Sequence, residues 1–246
     1  ETKNGRAHGE GRLTFPDRSI YEGLFSKGIA TDSGNFQFPD GSTYGGELIG
    51  GRPNGKGKAL YKGGINYEGY FVDGRRHGSG EQSWTDSSHY KGEWSNDKIN
   101  GSGTYCTAQG DIYTGGFING LWCGQGQLLQ AGGSRFSGQW RDGLLNGYGS
   151  CVFAQGGNYD GELAKGKFQG WGFRKWAGGS IYRGRWHKGL RHGYGTYIAS
   201  IGEKHSGKWF LDNKHGFGVV HDLDGTLKRG LWIFGRGPFF LNELRS

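Results

Sequence analysis

The residues able to bind or catalyse recur at wide intervals along the chain. Histidine stands before glycine at His8, His77, His192 and His215, and imidazole is a common zinc ligand. Cysteine, a nucleophile or metal ligand, occurs at Cys106, Cys123 and Cys151. Arginine and lysine make a basic series at Arg6, Arg52, Arg75, Arg76, Lys98, Lys167, Arg191 and Lys214. Nine Trp, thirteen Tyr and fifteen Phe offer rings for packing or stacking. Which of these groups can act together depends on the elements that carry them.

Those elements repeat. From Tyr21, steps of 23 residues reach Tyr44, Tyr67, Tyr90, Tyr113, Phe136, Tyr159, Tyr182, His205 and Lys228 with no insertion or deletion. Two positions after each stands glycine, from Gly23 to Gly230, and two further on a large apolar residue, among them Phe25, Leu48, Trp94 and Trp232. A G-x-G pair follows, as in Gly78/Gly80 and Gly193/Gly195, and a last glycine such as Gly41, Gly110 or Gly225 precedes the next unit. In Y-x-G-x-W the named residues alternate, so they share one face of a strand. The glycine-rich stretch has turn chemistry and no helical period. Each unit is therefore expected to be a β-hairpin, and one hairpin alone is marginal in water. Stacked hairpins bury their rings against their neighbours, advancing roughly 10 Å per repeat.

Composition agrees. Glycine makes up 54 of 246 residues, but it does not fall at every third position and there are only four prolines, which excludes collagen. Aromatic residues at 15% argue against simple disorder. No apolar run approaches the roughly 18 residues of a membrane-spanning helix, and the opening ETKNGRAHGEG does not read as a signal peptide. The odd cysteine count without CxxC spacing points to a reducing, cytoplasmic setting. The absence of methionine suggests a piece of a longer protein.

The repeat then decides most of the chemistry. Successive H-G histidines stand about 10 Å apart, too far to converge on zinc, so no metal or other cofactor is expected. No Walker sequence, nucleophile elbow or H-E-x-x-H occurs, and the G-x-G pairs precede strands rather than helices. The chain is expected not to be an enzyme. The net charge of +8 leaves anionic partners open, but the repeat accounts for the rings, so nucleic acid is not expected.

Three series remain as candidate contact sites. The first is the aromatic stripe of Tyr67, Phe71, Tyr90, Trp94, Tyr113, Phe117, Phe136, Trp140, Tyr159, Tyr182, Trp186 and Trp209. Each ring can serve as core. A single-layer sheet has no second layer to cover them all, so part of the stripe is expected to line a partner-binding groove for an amphipathic helix or an extended peptide. The second is the residue between the paired glycines. It is polar at Glu10, Ser33, Lys56, Ser79, Ser102 and Gln125 and aromatic at Tyr148, Trp171, Tyr194 and Phe217, which makes a second contact surface in the C-terminal half or simply meets a local need for bulk. The third is a basic edge of Arg52, Arg75, Arg76, Lys98, Lys167, Arg191 and Lys214, either a contact for anionic lipid or an acidic partner or a solvated, aggregation-resistant edge.

The units YKGEWSNDKINGSGTY (90–105) and YRGRWHKGLRHGYGTY (182–197), in register with eight further copies, resemble the MORN repeat, over about residues 4–235. The resemblance implies an all-β, elongated single-layer array of stacked antiparallel β-hairpins. It implies a non-catalytic scaffold or adaptor at a ciliary, cytoskeletal or membrane-associated assembly. Rival expectations are a phosphoinositide-contact module and a targeting domain of a larger enzyme. The array is read over residues 1–236, with a partial repeat at 1–20, nine full repeats at 21–227 and a partial repeat at 228–236. Residues 237–246 are read as a tail whose Phe239, Phe240, Leu241 and Leu244 cap the sheet, and the open sheet end offers a route to a homodimer. Departures from the pattern are Asp32, Ser87, Asp97 and Asp212, which replace turn glycines, and His205 and Lys228, which replace the leading ring. The turn around Ile29–Asp32 is expected to be distorted.

Overall fold

A computed structural model describes residues 2–3 and 5–239. Of the expected cap, Phe239 is among them; Phe240, Leu241 and Leu244 lie outside the described residues. Among the described residues the chain consists of strands and turns, with no helix. It forms two compact units, Glu1–Leu121 and Trp122–Ser246.

In the first unit β1 (Thr2–Lys3) and β2 (Arg6–Ala7) make a small ladder of their own. The main sheet runs through β3 (Gly9–Thr14), β4 (Ile20–Ser26), β5 (Ile29–Gln37), β6 (Thr43–Ile49), β7 (Arg52–Tyr61), β8 (Ile65–Val72), β9 (Arg75–Ser83), β10 (His89–Ser95), β11 (Lys98–Cys106) and β12 (Ile112–Ile118). From β3 to β12, consecutive strands pair antiparallel. The second unit repeats the plan. Its strands are β13 (Leu121–Leu129), β14 (Arg135–Arg141), β15 (Leu144–Val152), β16 (Gly157–Ala164), β17 (Lys167–Trp176), β18 (Ile181–His187), β19 (Leu190–Ile198), β20 (Lys204–Phe210), β21 (Asn213–His221), β22 (Leu227–Ile233) and β23 (Arg236–Phe239). They too pair in chain order. The fold is the expected all-β stack of antiparallel hairpins.

Glycine pairs sit opposite one another inside the hairpins, as Gly69↔Gly80, Gly92↔Gly103 and Gly184↔Gly195. The leading tyrosine lies across each pair, and a methyl group at Gly80 would overlap the Tyr67 ring. Between the glycine and the large residue the strand bulges, as at Gly92/Trp94. A bulge leaves a carbonyl without its ladder partner, and the tyrosine hydroxyl supplies one. Tyr67 donates to Tyr70 O at 3.0 Å, Tyr90 to Glu93 O at 3.0 Å and Tyr182 to Arg185 O at 3.1 Å. Tryptophan uses its indole N–H in the same way, Trp94 donating to Gly80 O at 3.3 Å and Trp209 to Gly195 O at 3.2 Å.

The rings interlock between repeats. Tyr67 meets Phe71 of its own repeat at 5.1 Å and Trp94 of the next at 5.3 Å, both edge-on. Tyr182 meets Trp186 and Trp209 likewise. Edge-to-face contacts of this kind add about 0.5–1.5 kcal/mol each beyond burial. The turns are clasped as well: the N–H of Gly74 donates to Pro53 O, that of Gly120 to Ile99 O and that of Gly166 to Leu145 O, each at 2.8–2.9 Å. The expected distortion at Asp32 is not found. Its φ of 63° matches the 61° of Gly78 at the equivalent position, because aspartate tolerates left-handed backbone better than most residues.

Candidate partner-binding faces

The aromatic stripe is core. Tyr67, Phe71, Tyr90, Trp94, Tyr113, Phe117, Trp140, Tyr159, Tyr182, Trp186 and Trp209 are all buried, and Phe136 is half-buried. The expectation that these rings line an open groove is corrected. Each tyrosine lies flat on a glycine pair and is walled by the large rings of two repeats, so the stripe covers itself without a second layer. Burial pushes the Tyr90 hydroxyl up to about 12.

The alternate residues of the same strands form the other face. In the first unit its cross-strand row includes Arg12–Glu22 at 3.1 Å, Lys58–Glu68 at 2.9 Å and Lys91–Glu81 at 3.4 Å, all exposed ion pairs. Exposed pairs of this sort contribute little to stability. The face is concave and holds a trough of about 1730 Å³ across β4–β10, lined by Glu22, Lys58, Leu60, Tyr70 and Lys91 among others. Lys56 stands over the Tyr70 ring at 5.7 Å.

In the second unit the corresponding face is aromatic. Tyr148 is 66% exposed, Trp171 49%, Tyr194 66% and Phe217 65%. They pair across the strands with Glu162, Arg185, Lys208 and Leu231 respectively. The residue between two core-facing glycines must point away from the core, so these four stand on the face opposite the stripe.

The basic edge divides. Arg52, Arg75, Lys98 and Lys167 are exposed. Arg76 and Arg191 are not free. Arg76 donates from its backbone N and from Nε to Asp97 Oδ1 and from Nη2 to Asp97 O, all at 3.0 Å, and also to Gln82 Oε1. Its guanidinium lies 4.5 Å from the Trp94 ring centre. Arg191 repeats this arrangement with Asp212 and Trp209, 4.2 Å from the ring centre. Lys214 reaches Glu203 at 3.7 Å.

Other titratable groups lie within the fold. His205 fills a tyrosine position, is 1% exposed, and has no partner for either ring nitrogen. Burial, aided by Lys214 and Arg191, holds its imidazole down at about 4. Cys151 is buried and its thiol is pushed up to about 11, also by burial. Arg174 packs 4.0 Å from the Phe153 ring centre on the core side. Sequence reasoning passed over Arg174, although an arginine where other repeats place Leu13, Phe36 or Tyr197 is a readable signal.

Hairpins of constant length, each sealed by the rings of the next, define a hairpin-repeat protein. A family model for the MORN repeat matches residues 3–20, 21–43, 44–65, 67–89, 90–112, 113–135, 136–158, 159–181, 182–204 and 205–227. The chain belongs to the MORN repeat family. No curated protein matches it in sequence. Among solved structures it is similar to the TCP10 domain of Danio rerio CPAP in complex with a peptide of Danio rerio STIL, at 12% identity and a TM-score of 0.45, covering 91% of this chain and 95% of that one. The same domain without peptide gives 10% identity and a TM-score of 0.44, covering 90% and 100%. A catalytically inactive virginiamycin B lyase from Staphylococcus aureus gives 11% and 0.17, covering 92% and 85%. Likeness this remote carries nothing about function. No helix among the described residues is long and apolar enough to cross a membrane.

Proposed function

We propose that the chain is a non-catalytic scaffold that holds a helical or extended segment of a partner protein against the open face of its sheets. The observation that carries this reading is the trough of about 1730 Å³ in the first unit, walled by charged side chains with Leu60 and Tyr70 in its lining. A concave, part-apolar surface of that size is where a partner segment finds both anchors and orienting charges. The setting we propose is a ciliary, cytoskeletal or membrane-associated assembly in the cytoplasm, as family membership suggests.

A photocrosslinking residue placed at Leu60 or Tyr70 tests the reading. It is expected to capture a discrete protein whose purified form then binds the chain and loses binding to the Leu60→Asp/Tyr70→Asp variant. Binding that survives this variant but disappears when Arg52, Arg75, Lys98 and Lys167 become glutamate would instead assign the contact to the basic edge. Vesicles with and without phosphoinositide would then say whether the edge meets lipid.

A further inference from the structure

The open face of the second unit carries a ladder with a measurable period. Tyr148, Trp171, Tyr194 and Phe217 lie on β15, β17, β19 and β21, every second strand. Between them stand Glu162, Arg185 and Lys208, each directly opposite the preceding ring in the register. Across the bulged hairpin the backbone N–H of Trp171 donates to Glu162 Oε1 at 2.9 Å. At about 4.8 Å between strands, successive rings are about 9.6 Å apart.

That spacing selects a conformation. A polyproline II helix has three residues per turn and rises about 3.1 Å per residue, so each of its faces recurs about every 9.3 Å. Laid across the strands, it stays in step with the four rings to within about 1 Å over the whole ladder. Two turns of an α-helix, at about 5.4 Å each, overshoot every ring spacing by about 1.2 Å and slip by about two thirds of a turn over the ladder; the same face of an extended strand, recurring about every 6.7 Å, is out of phase at the second ring. Polyproline II has no internal hydrogen bonds and is recognised chiefly by aromatic surfaces.

Charge narrows the choice further. Exposed Arg183, Arg185, Lys208 and Arg229 outnumber Asp160 and Glu162 on this face. Arg185 lies 5.7 Å from the Trp171 ring centre. The equivalent ladder position in the first unit holds Glu10, Ser33, Lys56, Ser79 and Ser102, so the feature belongs to the second unit alone.

We propose that the open face of the second unit docks a proline-rich segment of a partner in the polyproline II conformation, with acidic residues between its prolines. The proposal rests on reading the chain as a protein-binding scaffold, but it uses none of the residues of the first unit's trough.

The test is fluorescence anisotropy on the whole chain with a labelled peptide of four Pro-Pro-Glu triplets, one turn per ring. Comparison probes are the Pro-Pro-Lys peptide, an acidic alanine-rich helix of equal length and single-stranded oligothymidine. The Pro-Pro-Glu peptide is expected to saturate, and to bind at least about tenfold more tightly than Pro-Pro-Lys. Trp171→Ala with Tyr194→Ala is expected to weaken it at least about tenfold. Tyr70→Ala, in the first unit, is expected to leave it unchanged. Both ladder rings are exposed, and circular dichroism checks that the variants remain folded. Lack of saturable binding, indifference to the ladder variants, or tighter binding of the helix or the oligothymidine would overturn the proposal. A partner captured at Leu60 or Tyr70 in the same preparation would keep the scaffold reading standing while this proposal fell.

Discussion

Arg76 and Asp97 hold one repeat to the next. The carboxylate of Asp97 accepts from both the backbone N–H and Nε of Arg76, 21 residues earlier, while its own N–H donates to Arg76 O at 3.0 Å. Arg191 and Asp212 repeat the whole set, whereas turns such as Gly74 and Gly120 make only the last of these bonds, from glycine. Asp97 keeps the glycine-like φ of 67°, and Asp212 opposite Arg191 has the same value. The aspartate accepts a strained backbone and gains an arginine, which in turn covers a tryptophan.

Arg76→Ala is expected to cost about 1–2 kcal/mol, because it loses the stacking on Trp94 as well as the ion pair. Asp97→Gly is expected to change stability by no more than about 0.5 kcal/mol, since lost pairing is offset by relief of the left-handed backbone. Urea unfolding of both single variants and the double variant measures the coupling. A larger loss from Asp97→Gly than from Arg76→Ala would show that the pair, not the stacked arginine, dominates.

The tyrosine hydroxyls are predicted to matter out of proportion to their size. Tyr67→Phe removes the donor to Tyr70 O and leaves that carbonyl unpaired, at a cost of about 1–2 kcal/mol. Gly80→Ala is expected to be worse, about 3 kcal/mol or more, because the added methyl overlaps the buried Tyr67 ring. Thermal unfolding orders the two, and a Gly80→Ala protein as stable as the parent would mean that the ring does not lie on the glycines.

His205 is the weak link among the leading residues. Its two nitrogens are buried without partners between Trp209 and Trp232, whereas tyrosine at this place reaches a carbonyl three residues on. His205→Tyr is expected to stabilise by about 1 kcal/mol. It should also change the pH dependence. The folded state holds His205 near 4, below its ordinary 6.5, so the unfolded chain binds the proton first. Stability is then full above about pH 6.5, falls on the order of 3 kcal/mol as pH drops toward 4, and levels off below. Denaturant midpoints across that window should decline more steeply for the parent than for His205→Tyr.

Ser87 stands where most repeats have glycine before the next hairpin, and its φ is 72°. Asp86 still builds the turn, accepting from the Ser88 N–H at 2.9 Å and from its hydroxyl at 2.6 Å. Ser87→Gly keeps those bonds and removes the steric cost, for an expected gain of about 1 kcal/mol. A lower melting temperature in this variant would show that the serine hydroxyl contributes more than the backbone strain costs.

Most of the fold was legible because a strand's parity is strict. Once Tyr67, Gly69 and Phe71 were placed on one face, Glu68 and Tyr70 had to take the other, and so did Tyr148 and Trp171 in their repeats. The fate of the stripe was not legible. Whether a ring lies flat on glycine or stands into solvent depends on the bulge between Gly69 and Tyr70 and on the edge-on contact of Tyr67 with Trp94, neither of which a spacing reveals. The Arg76–Asp97 pair left a trace in the sequence: both aspartates that replace this turn glycine have an arginine 21 residues earlier. Reading that trace requires knowing that the turn returns to the preceding repeat.

The clasp from turns such as those at Gly74, Gly120 and Gly166 to a carbonyl of the preceding hairpin has a mechanical consequence. A meander pulled by its two ends peels from a free edge, and each hairpin that leaves must first break its clasp and slide its ring from the neighbour's glycines. Tension would therefore release chain in packets of one repeat, each adding about 80 Å of contour length. Repeats in which Arg76 or Arg191 also lies over a tryptophan of the next hairpin must break that stacking as well, and would yield last.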